Sequence, residues 1–228
     1  MKLKSHFLAG LFLVVTLSLQ TISIAAAQTN ITHLACIGDS ITYGSGLKDR
    51  NRDSYPAQLA RLLGDQWEVK NYGVSGTTMM KQGDRPFEDR KEYQAALDSK
   101  PEVVVIALGT NDSKPQNVEK NPDDFVPSYR EMISKFRAAN PNVKIYACLP
   151  PPAFPENGGI RDQIITETII PMIQKVAKEE HVSIIDLHTP LKDEAAVFPD
   201  KVHPNPEGAR LMAKIISEAL MSNHQSSR

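Results

Sequence analysis

Residues 35–44 read ACIGDSITYG. The apolar run at 34–37 has the length of a strand. It stops at Gly38-Asp39-Ser40, a polar turn that places one hydroxyl. A glycine-rich loop follows, and a helical pattern begins at about Ser54. A serine where a buried strand opens into a loop sits at the end of a rigid element and faces solvent. Ligands of open α/β sheets bind at that edge, and a sharp turn there can present a nucleophile. Gly-Asp-Ser by itself is also an ordinary turn, so the rest of the chain has to decide.

Working outward, apolar runs alternate with amphipathic stretches. Strands are predicted at 33–37, 67–72, 102–108, 143–149 and 182–187. The run EVVVIAL at 102–108 is β-branched and continuous, as expected of a strand buried on both faces. Helices are predicted at 54–63, 91–97, 122–139 and 162–180, the last kinked or restarted at Pro171. A final helix should start at Asn205 as cap, with Pro206 in its first turn and Glu207 near its positive end. Strands that alternate with helices predict an α/β fold, a five-stranded parallel sheet covered on both sides.

The chain has 228 residues, 41% of them hydrophobic and 23% charged, which fits one globular domain. Residues 1–27 read as a signal peptide. Lys2 and Lys4 lead a mostly apolar stretch, and Ala25-Ala26-Ala27 offers small residues for cleavage. The domain is then 28–228, exported to a periplasm or beyond. Without that leader the 26 basic and 27 acidic residues become 24 and 27. Such a balance suggests neither nucleic acid nor a membrane surface as partner of the mature chain. Cys36 and Cys148 fall in separate strands. With a third strand between them they lie about 9.5 Å apart, too far for a disulfide.

In a parallel sheet the carboxyl ends of the strands share one edge. The first ends in Gly38-Asp39-Ser40, the second in Asn71-Tyr72-Gly73-Val74-Ser75-Gly76, and the third in Gly109-Thr110-Asn111-Asp112. The loop after the fifth adds Asp200-Lys201-Val202-His203-Pro204. Serine is a weak nucleophile until a base takes its proton, and histidine does so near neutral pH. A carboxylate three residues away can fix the histidine's tautomer. The oxyanion of acyl transfer needs donors fixed in advance. The backbone N–H of Ser40, that of Gly73 and the Asn111 amide can supply three. Glycine at 73 should let the backbone approach the substrate closely.

GDS, the glycine of NYGVSG, GTND and DKVHPN together resemble the SGNH (GDSL-type) hydrolase family, in order and over nearly the whole mature chain. The resemblance implies a flavodoxin-like three-layer α/β/α fold and esterase chemistry without metal or other cofactor. It implies Ser40 as nucleophile, His203 as base, Asp200 as its orienting carboxylate, and Ser40, Gly73 and Asn111 as the oxyanion hole. The wider wording is similar to exported bacterial carbohydrate or sialate-type O-acetylesterases. A small acyl ester, acetyl above all, of a small molecule or glycan is the expected substrate. Lysophospholipases and thioesterases share the family, and a non-catalytic glycan-binding module could share the fold.

Other residues divide between roles. Asp39 and Asp112 suit loop amides. Met79 and Met80 either fill core gaps or line an acyl pocket. Among the arginines, Arg85 and Arg161 are the candidates to hold a substrate carboxylate. No histidine pair has metal-site spacing. Asn111 lies in a glycosylation sequon, and a glycan there would remove an oxyanion donor, which favours bacterial export.

Overall fold

The computed structural model describes residues 31–155 and 159–225. The expected signal peptide, residues 1–27, lies outside them. Five strands form one all-parallel sheet in the order β2-β1-β3-β4-β5. They are β1 (Thr32–Gly38), β2 (Trp67–Asn71), β3 (Val103–Ala107), β4 (Lys144–Leu149) and β5 (Ser183–Asp186).

The pleat of β1 explains the layering. Leu34 and Cys36 point into one apolar core, while Ala35 and Ile37 point into the other. Both faces are therefore covered, which parallel sheets require. The first core is closed by α3 (Tyr55–Leu63) and α8 (Pro206–Gln225), through Leu59, Met212 and Ile216. The second is closed by α4 (Lys91–Asp98), α5 (Phe125–Ala139) and α7 (Ile170–Glu179), through Tyr93, Phe136 and Ile173. Phe136 is fully buried, and cutting it to alanine would cost about 3–5 kcal/mol. This is the three-layer α/β/α arrangement that the alternation predicted. Only the edges thin out: Ile184 of β5 is exposed.

Cys36 and Cys148 are buried and free, with β3 between their strands. Asn205 caps α8, its Oδ1 accepting from the N–H groups of Glu207 and Gly208 at 3.0 Å each.

Two differences from the sequence reading are local. The segment after Ser40 is not all loop, because α1 (Ser40–Tyr43) and α2 (Arg50–Asp53) are short helices. The break in the helix at 162–180 comes before Pro171. A single turn, α6 (Asp162–Ile164), runs into a wide π turn (Ile165–Ile169), and α7 restarts with Pro171 in its first turn.

Candidate active site

Ser40 is placed by a glycine and a carboxylate. At Gly38 a Cβ would stand 2.1 Å from Thr42 Oγ1 and 2.6 Å from Ala107 O, so only glycine lets β1 turn this tightly beside β3. Asp39 is buried, and its Oδ1 accepts from the Ile41 N–H at 2.9 Å, capping α1. Ser40 is thereby the first residue of that helix, with an N–H that has no helical partner. Its carbonyl accepts from Gly44 and Ser45, at 3.0 and 2.9 Å. Burial raises the Asp39 carboxyl to about 6, against the pull of the Ile41 N–H.

His203 arrives from 163 residues away. Its Nε2 lies 2.7 Å from Ser40 Oγ, and its Nδ1 lies 2.7 Å from Asp200 Oδ2. The other oxygen of Asp200 accepts from the N–H groups of Val202 and His203, at 3.1 and 2.6 Å. Lys201 makes this turn possible by adopting a φ of +73°. Both its peptide groups are held: its N–H donates to Phe198 O at 2.9 Å, and its carbonyl accepts from Phe154 N–H at 2.8 Å. Partial burial pushes the Asp200 carboxyl up, but the hydrogen bonds from the His203 amide and ring and from Val202 outweigh it. The group is held below the ordinary carboxylate range and stays ionised beside the ring.

Gly73 and Asn111 follow the neighbouring strands. Val74 N–H donates to Gly38 O at 2.9 Å, which lays the loop after β2 against the end of β1. Asn111 Nδ2 donates to Thr77 O at 3.0 Å, tying the turn after β3 to the same loop. One hydrogen of the Asn111 amide remains for a ligand. The expected reason for glycine at 73 needs correcting. A Cβ there would lie 2.3 Å from Tyr43 N, so glycine is required by the backbone of α1, whatever the substrate does. The Gly73 N–H also has a partner already, Asn71 Oδ1 at 2.9 Å, while Asn71 Nδ2 donates to Thr42 O at 2.7 Å.

Sequence reasoning missed Asn71, and it missed Asn117. The fully buried Asn117 side chain donates to Asn111 O at 2.9 Å and accepts from Asp84 N–H at 2.8 Å. Asp112 is buried below the site and accepts from Met79 and Met80 N–H, at 3.0 and 2.9 Å. Burial raises its carboxyl to about 7, against those two amides. Met79 and Met80 are core residues, at 2% and 0% exposure, so they line no open acyl pocket.

The two arginine candidates separate. Arg161 is committed: its guanidinium donates to Ser113 O at 3.0 and 2.7 Å and to Glu119 at 2.5 Å. It fastens the loop after β4 to the turn after β3 and has little left for a substrate carboxylate. Arg85 is exposed beside Gly76, and its side chain has no hydrogen bond or ion pair among the described residues. A cavity of about 590 Å³ is lined by His203 and Asp200 together with Ser45, Leu47 and Lys48. Among the described residues, no group of three or more His, Cys, Asp or Glu side chains is arranged to hold a metal ion. No helix among them is long and apolar enough to cross a membrane.

Residues 36–211 match the sequence profile of the GDSL-like lipase/acylhydrolase family, and the chain belongs to that family. An acetylxylan esterase of Xylanibacter ruminicola is 43% identical over 216 residues, covering 87% of this chain and 45% of that protein. A cellulase/esterase of Acetivibrio thermocellus is 26% identical over 201 residues, covering 78% of this chain and 24% of that protein. The chain thus spans less than half the length of either relative. Among solved structures, a carbohydrate acetylesterase from Sinorhizobium meliloti shares the fold, with a TM-score of 0.67 and 18% identity, over 84% of this chain and 99% of that one.

Proposed function

We propose that this member of the GDSL-like lipase/acylhydrolase family is a serine esterase that removes small acyl groups, chiefly acetyl, from carbohydrates. The observation that carries the reading is the unbroken chain Asp200–His203–Ser40, with 2.7 Å at both ring nitrogens. Such a chain is the geometry of an activated nucleophile.

Ser40 Oγ attacks the ester carbon and gives its proton to His203 Nε2. Asp200, ionised, holds Nδ1–H and stabilises the imidazolium. The oxyanion takes hydrogen bonds from the Ser40 N–H, the Asn111 amide and the Gly73 N–H. The first two need no rearrangement. The third has to be shared with, or released from, Asn71 Oδ1. Collapse breaks the bond to the alcohol, whose oxygen takes the proton back from Nε2. Water then attacks the acyl-enzyme by the same route. Proton transfer by a placed base contributes about 10²–10⁴-fold, and one oxyanion donor about 2.7–4 kcal/mol.

The acetyl and carbohydrate parts draw support from the relatives, two of which are named for acetyl groups on sugars. Residues 1–27 fit this reading as an export signal that brings the enzyme to such glycans. Acetate release from acetylated xylan, pectin fragments and O-acetyl sialic acids tests the substrate class, beside a chain-length series of nitrophenyl esters. Acetate is expected to be the preferred acyl group. Preference for eight carbons or more would replace this reading with a lysophospholipase or thioesterase type.

A further inference from the structure

We propose that the 590 Å³ cavity beside His203 is the subsite for the departing alcohol, a neutral sugar that carries the ester. The inference rests on the reading of Ser40 and His203 as nucleophile and base. In such a mechanism the leaving oxygen takes its proton from Nε2, so the alcohol must sit within hydrogen-bond reach of that atom. The group leaves on the histidine side of the carbonyl, away from the oxyanion donors. The cavity is lined by His203 and Asp200 and reaches Ser45, five residues beyond the nucleophile, and its volume falls within the roughly 300–1,000 Å³ of small-molecule sites.

Its lining suits a sugar in two ways. Leu47 and Pro206 offer apolar surface to the C–H face of a ring. The charges in the lining balance: Arg52 is paired with Asp53 at 2.9 Å, and Lys48 and Asp200 carry one charge of each sign. A pocket without net charge gives no advantage to an acidic glycan. Ser45 Oγ is already bonded to Ser75 Oγ at 2.7 Å, which ties this part of the lining to the loop after β2.

The step reverses on the acyl-enzyme. A sugar hydroxyl in the cavity gives its proton to His203 Nε2 and bonds to the acetyl carbon. The carbon–Ser40 Oγ bond breaks, and Oγ takes the proton back. The test uses 4-nitrophenyl acetate as donor and methyl β-xyloside as acceptor, and it compares acetyl transferred to the sugar with acetyl lost to water. Nitrophenol release serves as each variant's own reference. In the wild type, transfer should rise and saturate with xyloside. Leu47→Trp fills the cavity and should lower the transfer fraction about tenfold, the scale of one misfit in a pocket. Lys48→Trp, at an exposed position that cannot disturb the core, should do the same. Turnover without transfer, or transfer equal in all three proteins, would overturn the subsite. Absence of any nitrophenol release from the wild type would instead sink the esterase reading beneath it.

Discussion

The two halves of the site are built in opposite ways. Around the proposed oxyanion donors, Asp39, Thr77, Thr78, Asn111, Asp112 and Asn117 are all buried. Their side chains tie the loops after β1, β2 and β3 into one block. Around the base, the Asp200 side chain is 56% exposed and that of His203 26%. That half hangs on one turn, with Lys201 at positive φ and two backbone bonds to Phe154 and Phe198. The difference suits the proposed roles. Oxyanion donors act through preorganisation, so movement is costly. A base has to meet serine, alcohol and water in turn, which an open position serves.

The contrast is most exposed to attack at Asp200. Asp200→Asn keeps an oxygen for the two turn amides but sets an NH₂ against Nδ1 and favours the wrong tautomer. Turnover on a small ester should fall by up to about ten-thousandfold, with circular dichroism unchanged. Near-full activity would leave a Ser40–His203 dyad and empty the exposed half of half its role. On the buried side, Asn111→Ala should cut kcat about a hundredfold to a thousandfold, with KM nearly constant. An effect on KM alone would mean that Asn111 binds ground state and not oxyanion.

A finer comparison concerns the strained turn. The left-handed region costs a non-glycine residue about 1–2 kcal/mol, and a β-branched residue fits it worst. Lys201→Ile should therefore be less stable than Lys201→Gly by about 1–2 kcal/mol in denaturant melts. Equal stabilities would show that the turn relaxes without loss.

The smallest effect is a pH dependence of folding from the buried block. Burial places Asp39 at about 6 and Asp112 at about 7, above the 3.8 of a free carboxyl. Between those values the folded form holds protons that the unfolded chain has released. Stability from these groups is thus full at about pH 4 and is lost as pH rises towards 7. Exposed Asp200, held below its ordinary range, acts in the other direction and at lower pH. Urea unfolding between pH 4.5 and 7.5 should show the decline, and Asp112→Asn should flatten it. An equal slope in both proteins would remove Asp112 from the account.

Much of the fold was legible because buried parallel strands leave continuous runs such as Val103–Val104–Val105–Ile106, and because Ser54 and Asn205 mark helix starts. The residues that gather at the sheet edge were legible for the same reason, since strand ends fix where loops begin. What stayed hidden lacks a local period. Helix α1 has four residues, too few to show a 3.6-residue repeat. Asn71 and Asn117 join nearby partners to others 29 and 33 positions away, and an asparagine at a strand end or in a loop looks alike with or without them. The reason for Gly73 was misread because α1, whose backbone excludes a Cβ there, was itself unseen.

The proposed chemistry requires Ser40 to be the nucleophile and His203 to make it so. A fluorophosphonate probe followed by intact-protein and peptide mass spectrometry tests both. One adduct per chain is expected, on Ser40, lost in Ser40→Ala and slowed severely in His203→Ala. No adduct on the wild type, or one on another residue, would contradict it and turn the protein towards a glycan-binding module on an esterase fold.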